Sequence, residues 1–597
     1  MKDSFFKTIT RKAYLIMSLS LLFSGCSNNE VKKEGSQLPF EAIEAYYINQ
    51  LDSASVFLDK ISDNSDLATA KANFKSARLI AKRIEPILSF TESENYKSLF
   101  QPNILKVVEE DATDIKKIEA KGFQVLEEAL YADSLDWELV LKNATFLSQR
   151  FRLIRNSVSI SDYQPYHFLW MFRSAFVRVA TTGITGFDSP VLAQSLLESS
   201  IIYQELNRLM NYFKDDFNSS ELHDEWNLEL SSAQKMLIAD FEEFDRYNFI
   251  KNHTNKQFEL WNRTVADWNV SFPFELAISN SAPNLFDSTT FNIGFFSDKV
   301  WSEISREKIA LGRKLFNDSS LSIDGNMSCS TCHQKDIAFT DGLAISAGQL
   351  RNSPTLKYAG FQKAFFYDAR TGNLEGQIVD VVNNETEFHS SIKGMIKAVK
   401  SDSTYLDAFK KVYDTVPQDL SIRNAIAAYI RSLAPFNSKF DKAITNRNAS
   451  LTTEEVNGFN LFMGKAQCAT CHFPPLFNGT VPPNFTESEM ELLGVPETNV
   501  LTNAQIDDDL GRFNVFGTEE RKYFFKTPTI RNAALTSPYM HNGVYGSLDE
   551  VMEFYDLGGG IGLGIDLPYQ TLPSDPLELT EEEEESIIAF MKTLTDG

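Results

Sequence analysis

Two pentapeptides, Cys329-Ser330-Thr331-Cys332-His333 and Cys468-Ala469-Thr470-Cys471-His472, constrain this chain more than any other feature. They hold four of its five cysteines, so a disulfide framework, which uses more cysteines in a much smaller chain, is not expected. A gap of two residues spaces two sulfurs to match the vinyl groups of haem, and the next residue puts an imidazole under the metal. Zinc held by two Cys and two His, or a thioredoxin-type redox pair, are the rival readings; the redox pair needs no histidine and usually sits in an α/β setting. With only seven histidines in 597 residues, one directly behind each pair favours two covalently bound c-type haems.

The fifth cysteine, Cys26, stands in another context. Lys2, Lys7, Arg11 and Lys12 precede an apolar run, Ala13 to Leu22, which is too short for a permanent membrane helix and reads as a cleavable export signal. It ends in Leu22-Phe23-Ser24-Gly25-Cys26, which resembles a bacterial lipobox with Phe23 where leucine is usual. The resemblance implies a signal peptide over 1–25, lipidation of Cys26, a polar tether over 26–38, and a lipid-anchored protein on the periplasmic side of the envelope, at the outer membrane. An ordinary signal peptide with an incidental cysteine is the alternative. The most apolar later segment, Tyr166 to Ala180, is interrupted by Arg173 and Arg178 and does not read as a span. A net charge of −24 argues against nucleic acid as a partner.

The length exceeds what one core can organise, so several domains are expected. Over 39–290 the apolar pattern is helical: Phe74, Ala77, Ala81, Ile84 and Leu88 recur at three- and four-residue steps. Similar stripes run through Ala193–Met210 and Ser232–Phe244, strand-like alternation is scarce, and a helical bundle is predicted. The remainder repeats itself. Ser305–Phe316 leads into the first pentapeptide and Thr453–Phe462 into the second, while Ile422–Leu433 and Ser586–Leu594 close the two halves. Two cytochrome-c-like helical domains follow, 296–440 and 450–597, so the expected fold is mainly α. The five glutamates at 581–585 behind Thr580 read as a solvated helix start.

Further motifs lie around the pentapeptides: Arg351-Asn352-Ser353-Pro354-Thr355-Leu356, Phe366-Tyr367-Asp368-Ala369-Arg370, Leu374-Glu375-Gly376-Gln377, Phe525-Lys526-Thr527-Pro528-Thr529-Ile530-Arg531-Asn532 and Thr536-Ser537-Pro538-Tyr539-Met540-His541-Asn542-Gly543. In this order they resemble the bacterial di-haem cytochrome c peroxidases and their close relatives, the MauG-type oxidases. The resemblance implies that His333 is the proximal ligand of a peroxidatic haem, with Gln377 and Glu387 in its distal pocket. Heterolytic cleavage of peroxide needs a proton moved from one oxygen to the other, which a carboxylate can do while an amide orients the substrate. Glu387 is assigned as that base and Gln377 as the orienting amide, against the plainer reading of two surface polar residues.

In the second half His472 would be the proximal ligand of an electron-transfer haem. The residue fourteen positions after His541, usually Met in the family's peroxidases, is Tyr555 here, as in MauG-type enzymes. An oxyanion ligand favours the ferric state; Met540 and Met552 are alternative ligands, and a core tyrosine is the plain option. No histidine lies between His333 and His389, and Gln349 stands near the place of the family's capping histidine, so the first haem is expected to be five-coordinate and open. Tyr367 replaces the tryptophan that the family places between the haems. Asn352, Thr536 and Pro538 match positions that bind calcium in the family. In the bundle, Gly122 to Glu127 faintly resembles the Gly-x-His-x-x-Glu signature of imelysin-like domains, with Gln124 in place of His; a structural or docking role is expected. His167, His223 and His253 are scattered.

The implied function is reduction of hydrogen peroxide to water with electrons from a small redox protein, a c-type cytochrome or a cupredoxin, in a chain compatible with homodimer formation. MauG-type oxidation of a protein substrate is the second reading, favoured by Tyr555 and the missing capping histidine. A non-enzymatic haem electron carrier is the third. Glu387 and Gln377 discriminate, since a carrier needs no acid–base residue beside an open iron.

Overall fold

Helices carry the architecture of the computed structural model, which describes residues 39–62, 66–297 and 301–597. The signal peptide, Cys26 and the tether lie outside the described residues. The stripe from Phe74 to Leu88 is buried on two helices, Leu67–Arg83 and Glu85–Thr91, because Pro86 cannot continue the first. The Ala193–Met210 stripe lies largely on the helix Ser195–Tyr212. Two expectations are corrected. The helix Ser220–Met236 stops before the end of the Ser232–Phe244 stripe, and Phe244 is buried from a turn beyond it. A hairpin of Lys106–Asp111 and Asp114–Ile118 also interrupts the bundle; its charge-rich strands lack the apolar alternation that would have revealed them.

Seven charged side chains are buried together among the bundle helices: Arg78, Lys82 and Arg178 with Glu85, Glu127, Asp188 and Glu198. Lys82 Nζ lies 2.8 Å from Glu85 and 2.6 Å from Asp188, and Arg178 lies 2.8 Å and 2.9 Å from the same two carboxylates. Glu127, the acid of the Gly122–Glu127 motif, sits 3.1 Å from Arg78 and accepts the Leu192 N–H at 2.9 Å. Removing one member would strand a buried charge, at a cost of about 3–5 kcal/mol. The acid of this motif is therefore structural.

The two halves that follow are built on the same device. Arg306–Phe316 packs on Asp419–Arg431, and Thr453–Met463 packs on Glu581–Thr593. Both first helices carry Gly-x-x-Leu-Phe, as Gly312 to Phe316 and Gly458 to Phe462. A Cβ at Gly312 would stand 1.9 Å from the Ala425 carbonyl oxygen, and one at Gly458 would stand 1.8 Å from that of Ser586. Each helix pair therefore meets backbone to backbone. The run of glutamates starts the last helix as a capping box: Thr580 Oγ accepts the Glu583 N–H, and the Glu583 carboxylate accepts the Thr580 N–H.

A buried arginine ties the halves together. Arg531 forks onto Asp441 at 2.8 and 2.9 Å and donates to the Pro475 carbonyl, with Tyr358 of the first half over its guanidinium at 4.6 Å. Asp441 belongs to Lys439–Ile444, whose Phe440 packs tilted against Phe459 and edge to face against Phe590 of the second half. Among the described residues no helix is long and apolar enough to cross a membrane.

Gly312→Ala and Gly458→Ala are each expected to lower unfolding free energy by about 1–3 kcal/mol, the usual cost of overpacking. Equilibrium denaturation of the purified variants measures this, and wild-type stability would contradict the close helix contact.

Candidate active site

Each pentapeptide is wound into a single tight turn. Ser328 caps the first: its N–H donates to Thr331 Oγ at 3.0 Å, the helix runs Cys329–Cys332, and the His333 N–H closes it on the Cys329 carbonyl at 3.0 Å. The second turn, Cys468–Thr470, is closed by the His472 N–H on the Cys468 carbonyl at 2.9 Å. In both, residues i and i+3 share one side, so the paired thiols project together.

The imidazoles are locked by backbone. His333 Nδ1 lies 3.0 Å from the Phe339 carbonyl, and His472 Nδ1 lies 3.0 Å from the Pro528 carbonyl. A carbonyl only accepts, so the proton must sit on Nδ1, which leaves the Nε2 lone pair for a metal. Burial lowers both pKa values, that of His472 to about 4, and keeps the rings in the neutral form that ligates. Burial also pushes the Cys329 and Cys468 thiols up to about 12, and raises Cys332 and Cys471. Redox-active cysteines need the opposite shift. Among the described residues no group of three or more His, Cys, Asp or Glu is placed to hold a metal ion.

Both turns open onto one cavity of about 1240 Å³, larger than a usual small-ligand pocket. Its walls near the first turn are apolar, with Phe316, Leu321, Ile378 and Val382, and near the second with Phe462, Leu493, Val551 and Met591. Paired neutral thiols, a neutral imidazole with a free Nε2 and flat apolar walls are what a covalently held haem requires at each site. The residues fit.

The candidate ligands and catalytic residues of the two halves (His333, Gln377, Glu387, Tyr367, His472 and Tyr555) all line this cavity, as do Asn352, Thr536 and Pro538. Gln377 comes from the helix Leu374–Asn383, which Asn373 caps by accepting the Gly376 N–H at 2.7 Å. Glu387 comes from the turn after that helix, and the Asn384 amide donates to its carboxylate at 2.8 Å. Burial raises its pKa, against the lowering effect of Asn384 and Arg370. Gln349 fixes the neighbouring residue, donating to the carbonyl and hydroxyl of Thr386 at 3.1 Å each. His389 faces away and is exposed.

Tyr367 lies where the halves meet: its carbonyl accepts the Lys526 N–H at 2.7 Å and its hydroxyl donates to Asn352 Oδ1. Asn352 in turn donates to the carbonyls of Pro538 at 3.2 Å and Met540 at 2.7 Å. Thr536 lines the same wall, though its hydroxyl bonds to the Ala533 carbonyl at 3.4 Å. Arg351 holds this junction, bridging Asp368 at 2.8 Å and Asp509 at 2.9 Å. Tyr555 and Met552 lie on the helix Leu548–Asp556, three residues apart and on one face. Burial and the neighbouring Cys471 and Cys468 raise the Tyr555 pKa.

Two groups of cavity residues escaped sequence reasoning. Glu489 and Glu491 stand two apart on an extended segment, hence on one face beside Cys471; burial raises both, and the neighbouring Glu491 raises Glu489 further. The alternation Glu487-Ser488-Glu489-Met490-Glu491 was the available signal. The bundle also contributes wall, through Pro102, Ile104, Gln124, Gly186, Phe187 and Pro190. Gln124 of the Gly122–Glu127 motif thus faces the cavity while Glu127 faces the ion cluster.

Residues 306–449 match the family of di-haem cytochrome c peroxidases. The cytochrome-c peroxidase IdrP1 of Pseudomonas sp. (strain SCT) is 31% identical over 321 residues, covering 49% of this chain and 81% of the relative. The cytochrome c551 peroxidase of Nitrosomonas europaea is 33% identical over 292 residues, covering 48% and 79%. The methylamine utilization protein MauG of Methylorubrum extorquens is 29% identical over 299 residues, covering 49% and 79%. With the cavity described above, these similarities establish that the chain is a haem-dependent oxidoreductase belonging to the di-haem cytochrome c peroxidase family.

Proposed function

We propose that this chain reduces hydrogen peroxide to water with electrons from a small redox protein, using haems bonded to Cys329 and Cys332 and to Cys468 and Cys471, with His333 and His472 as axial ligands. The overall balance is one peroxide, two protons and two electrons to two waters. Haem, when bound, supplies the redox couples and the site at which peroxide is held. The observation that carries the proposal is the convergence of Gln377 and Glu387 on the cavity wall that His333 also lines.

Glu387, as carboxylate, accepts a proton from one peroxide oxygen and returns it to the other. Asn384 holds it in place, and Gln377 offers an amide to orient the substrate. Tyr367 spans the junction between the halves, and its hydrogen bond to Asn352 gives its proton an acceptor if it relays an electron. Turning the Asn352 amide over would present its oxygen beside those of Pro538 and Met540, an all-oxygen set of the kind calcium takes. Export and lipid attachment at Cys26 belong to the proposal on sequence grounds alone.

MauG-type oxidation of a protein substrate is the second reading, and Tyr555 favours it. Its side chain stands among Cys468, Cys471 and Glu491, where an iron-binding oxygen would act, with Met540 and Met552 close by on the same wall.

Glu387→Gln is expected to slow peroxide consumption at least about tenfold, about 1.4 kcal/mol of barrier, with haem content unchanged. Wild-type turnover in that variant would mean that another group is the base. Because the working form is the carboxylate and burial raises its pKa, activity should fall as pH drops through that raised value, and Glu387→Gln should lose this acid limb. Electron paramagnetic resonance of the as-isolated ferric protein should show one high-spin and one low-spin haem, since among the described residues the histidines lining the cavity are His333, His472 and His541, the last bonded to Asp507. Two low-spin haems would count against the open site.

A further inference from the structure

The bundle lies directly against the second pentapeptide. The π-helical turn Val179–Gly183 packs on Cys468–Thr470, and the Phe187 ring meets Phe473, the residue after His472, edge to face at 6.3 Å. The hairpin clamps the same half: Glu109 pairs with Arg512 at 2.7 Å, Lys117 with Glu520 at 2.6 Å, and Arg521 donates to the Val107 carbonyl at 2.9 Å.

At the centre of this contact is Arg246. It is fully buried, yet its guanidinium is held by carbonyls alone: Ile184 at 2.9 Å, Phe244 at 3.1 Å and Phe241 at 2.8 Å. The Phe241 ring lies over it at 4.6 Å. Its partner across the interface is Gly464, the turn that leads from Thr453–Met463 into the second pentapeptide. A Cβ there would stand 2.6 Å from the guanidinium carbon. The only influence on its ionisation is burial, which lowers its pKa without bringing it near neutrality. The other arginines buried this deeply, Arg78, Arg431 and Arg531, face carboxylates, and Arg173, which also rests on carbonyls, has Glu275 as a charged neighbour. Arg246 has neither.

We infer that Arg246 makes the bundle an electrostatic partner of the second haem, planting a permanent positive charge beside its pentapeptide that favours the reduced state. Charge in a low-dielectric setting acts over many ångströms, and a cation opposes the more positive ferric form. Glu489, Glu491 and Tyr555 line the second site's wall and act in the opposite direction when ionised. Arg246 also holds the Ile184 end of the turn that presents Phe187, so it is a positioning residue whose charge carries the effect. This inference rests on reading the second pentapeptide as a haem site.

The test is spectroelectrochemical titration of the holoprotein. Haem content is checked first on the wild type, where its absence overturns the haem reading and this inference with it. Arg246→Gln is expected to raise the oxidised-to-reduced ratio of the second haem at fixed potential at least about tenfold, or about 59 mV for a one-electron couple. Arg246→Lys, which keeps the charge and loses the fork, is expected to stay near the wild-type midpoint. Phe241→Glu puts a carboxylate beside the intact guanidinium; it should lower the midpoint in the same direction, and it decides the matter if Arg246→Gln does not fold. A folded Arg246→Gln or Phe241→Glu with the wild-type midpoint would overturn the inference, as would Arg246→Lys falling as far as Arg246→Gln.

Discussion

Two hydrogen bonds, His333 Nδ1 to the Phe339 carbonyl and His472 Nδ1 to the Pro528 carbonyl, underlie the chemistry of this molecule. Each places the imidazole proton on Nδ1 and leaves the lone pair of the other nitrogen free to ligate. The surrounding fold serves that arrangement. Backbone-to-backbone helix pairs at Gly312 and Gly458 precede each pentapeptide in the chain, and Arg531 with Asp441 fixes one half on the other. The two sites consequently share one cavity instead of occupying separate pockets.

The two ends of that cavity differ in character. Around the first site stand an amide and one carboxylate, Gln377 and Glu387, on a turn steadied by Asn384 and Gln349. Around the second stand a tyrosine and two carboxylates that burial drives toward their neutral forms. Proton handling suits the first end and electron storage the second. The bundle adds a cation, Arg246, against the turn that leads into the second pentapeptide.

Much of this was legible in the sequence because it is local. The pentapeptides, the repeat and the capped helix behind Thr580 are short-range patterns whose geometry follows from a turn or a helix face, while Gln377 and Glu387 were legible through resemblance to the family. Tyr555 stands at the position, fourteen after His541, that the family resemblance singles out, and it lies on the cavity wall. What escaped was long-range. Glu489 and Glu491 become a pair only when their extended segment pairs with Phe525–Lys526, and the hairpin over 106–118 hides behind charged residues. Gln124 and Glu127 looked like parts of one motif, yet one faces the cavity and the other an ion cluster completed by Arg78 and Glu198. Arg246 carries no local signature at all; its significance arises only where it meets Gly464.

Intact mass spectrometry of the chain, expressed with a working c-type maturation system, tests the central claim most directly. The account requires two thioether-linked haems per chain, one lost when Cys329 and Cys332 are both replaced by alanine and the other when Cys468 and Cys471 are. An unmodified chain, or one carrying zinc in place of porphyrin, would contradict it.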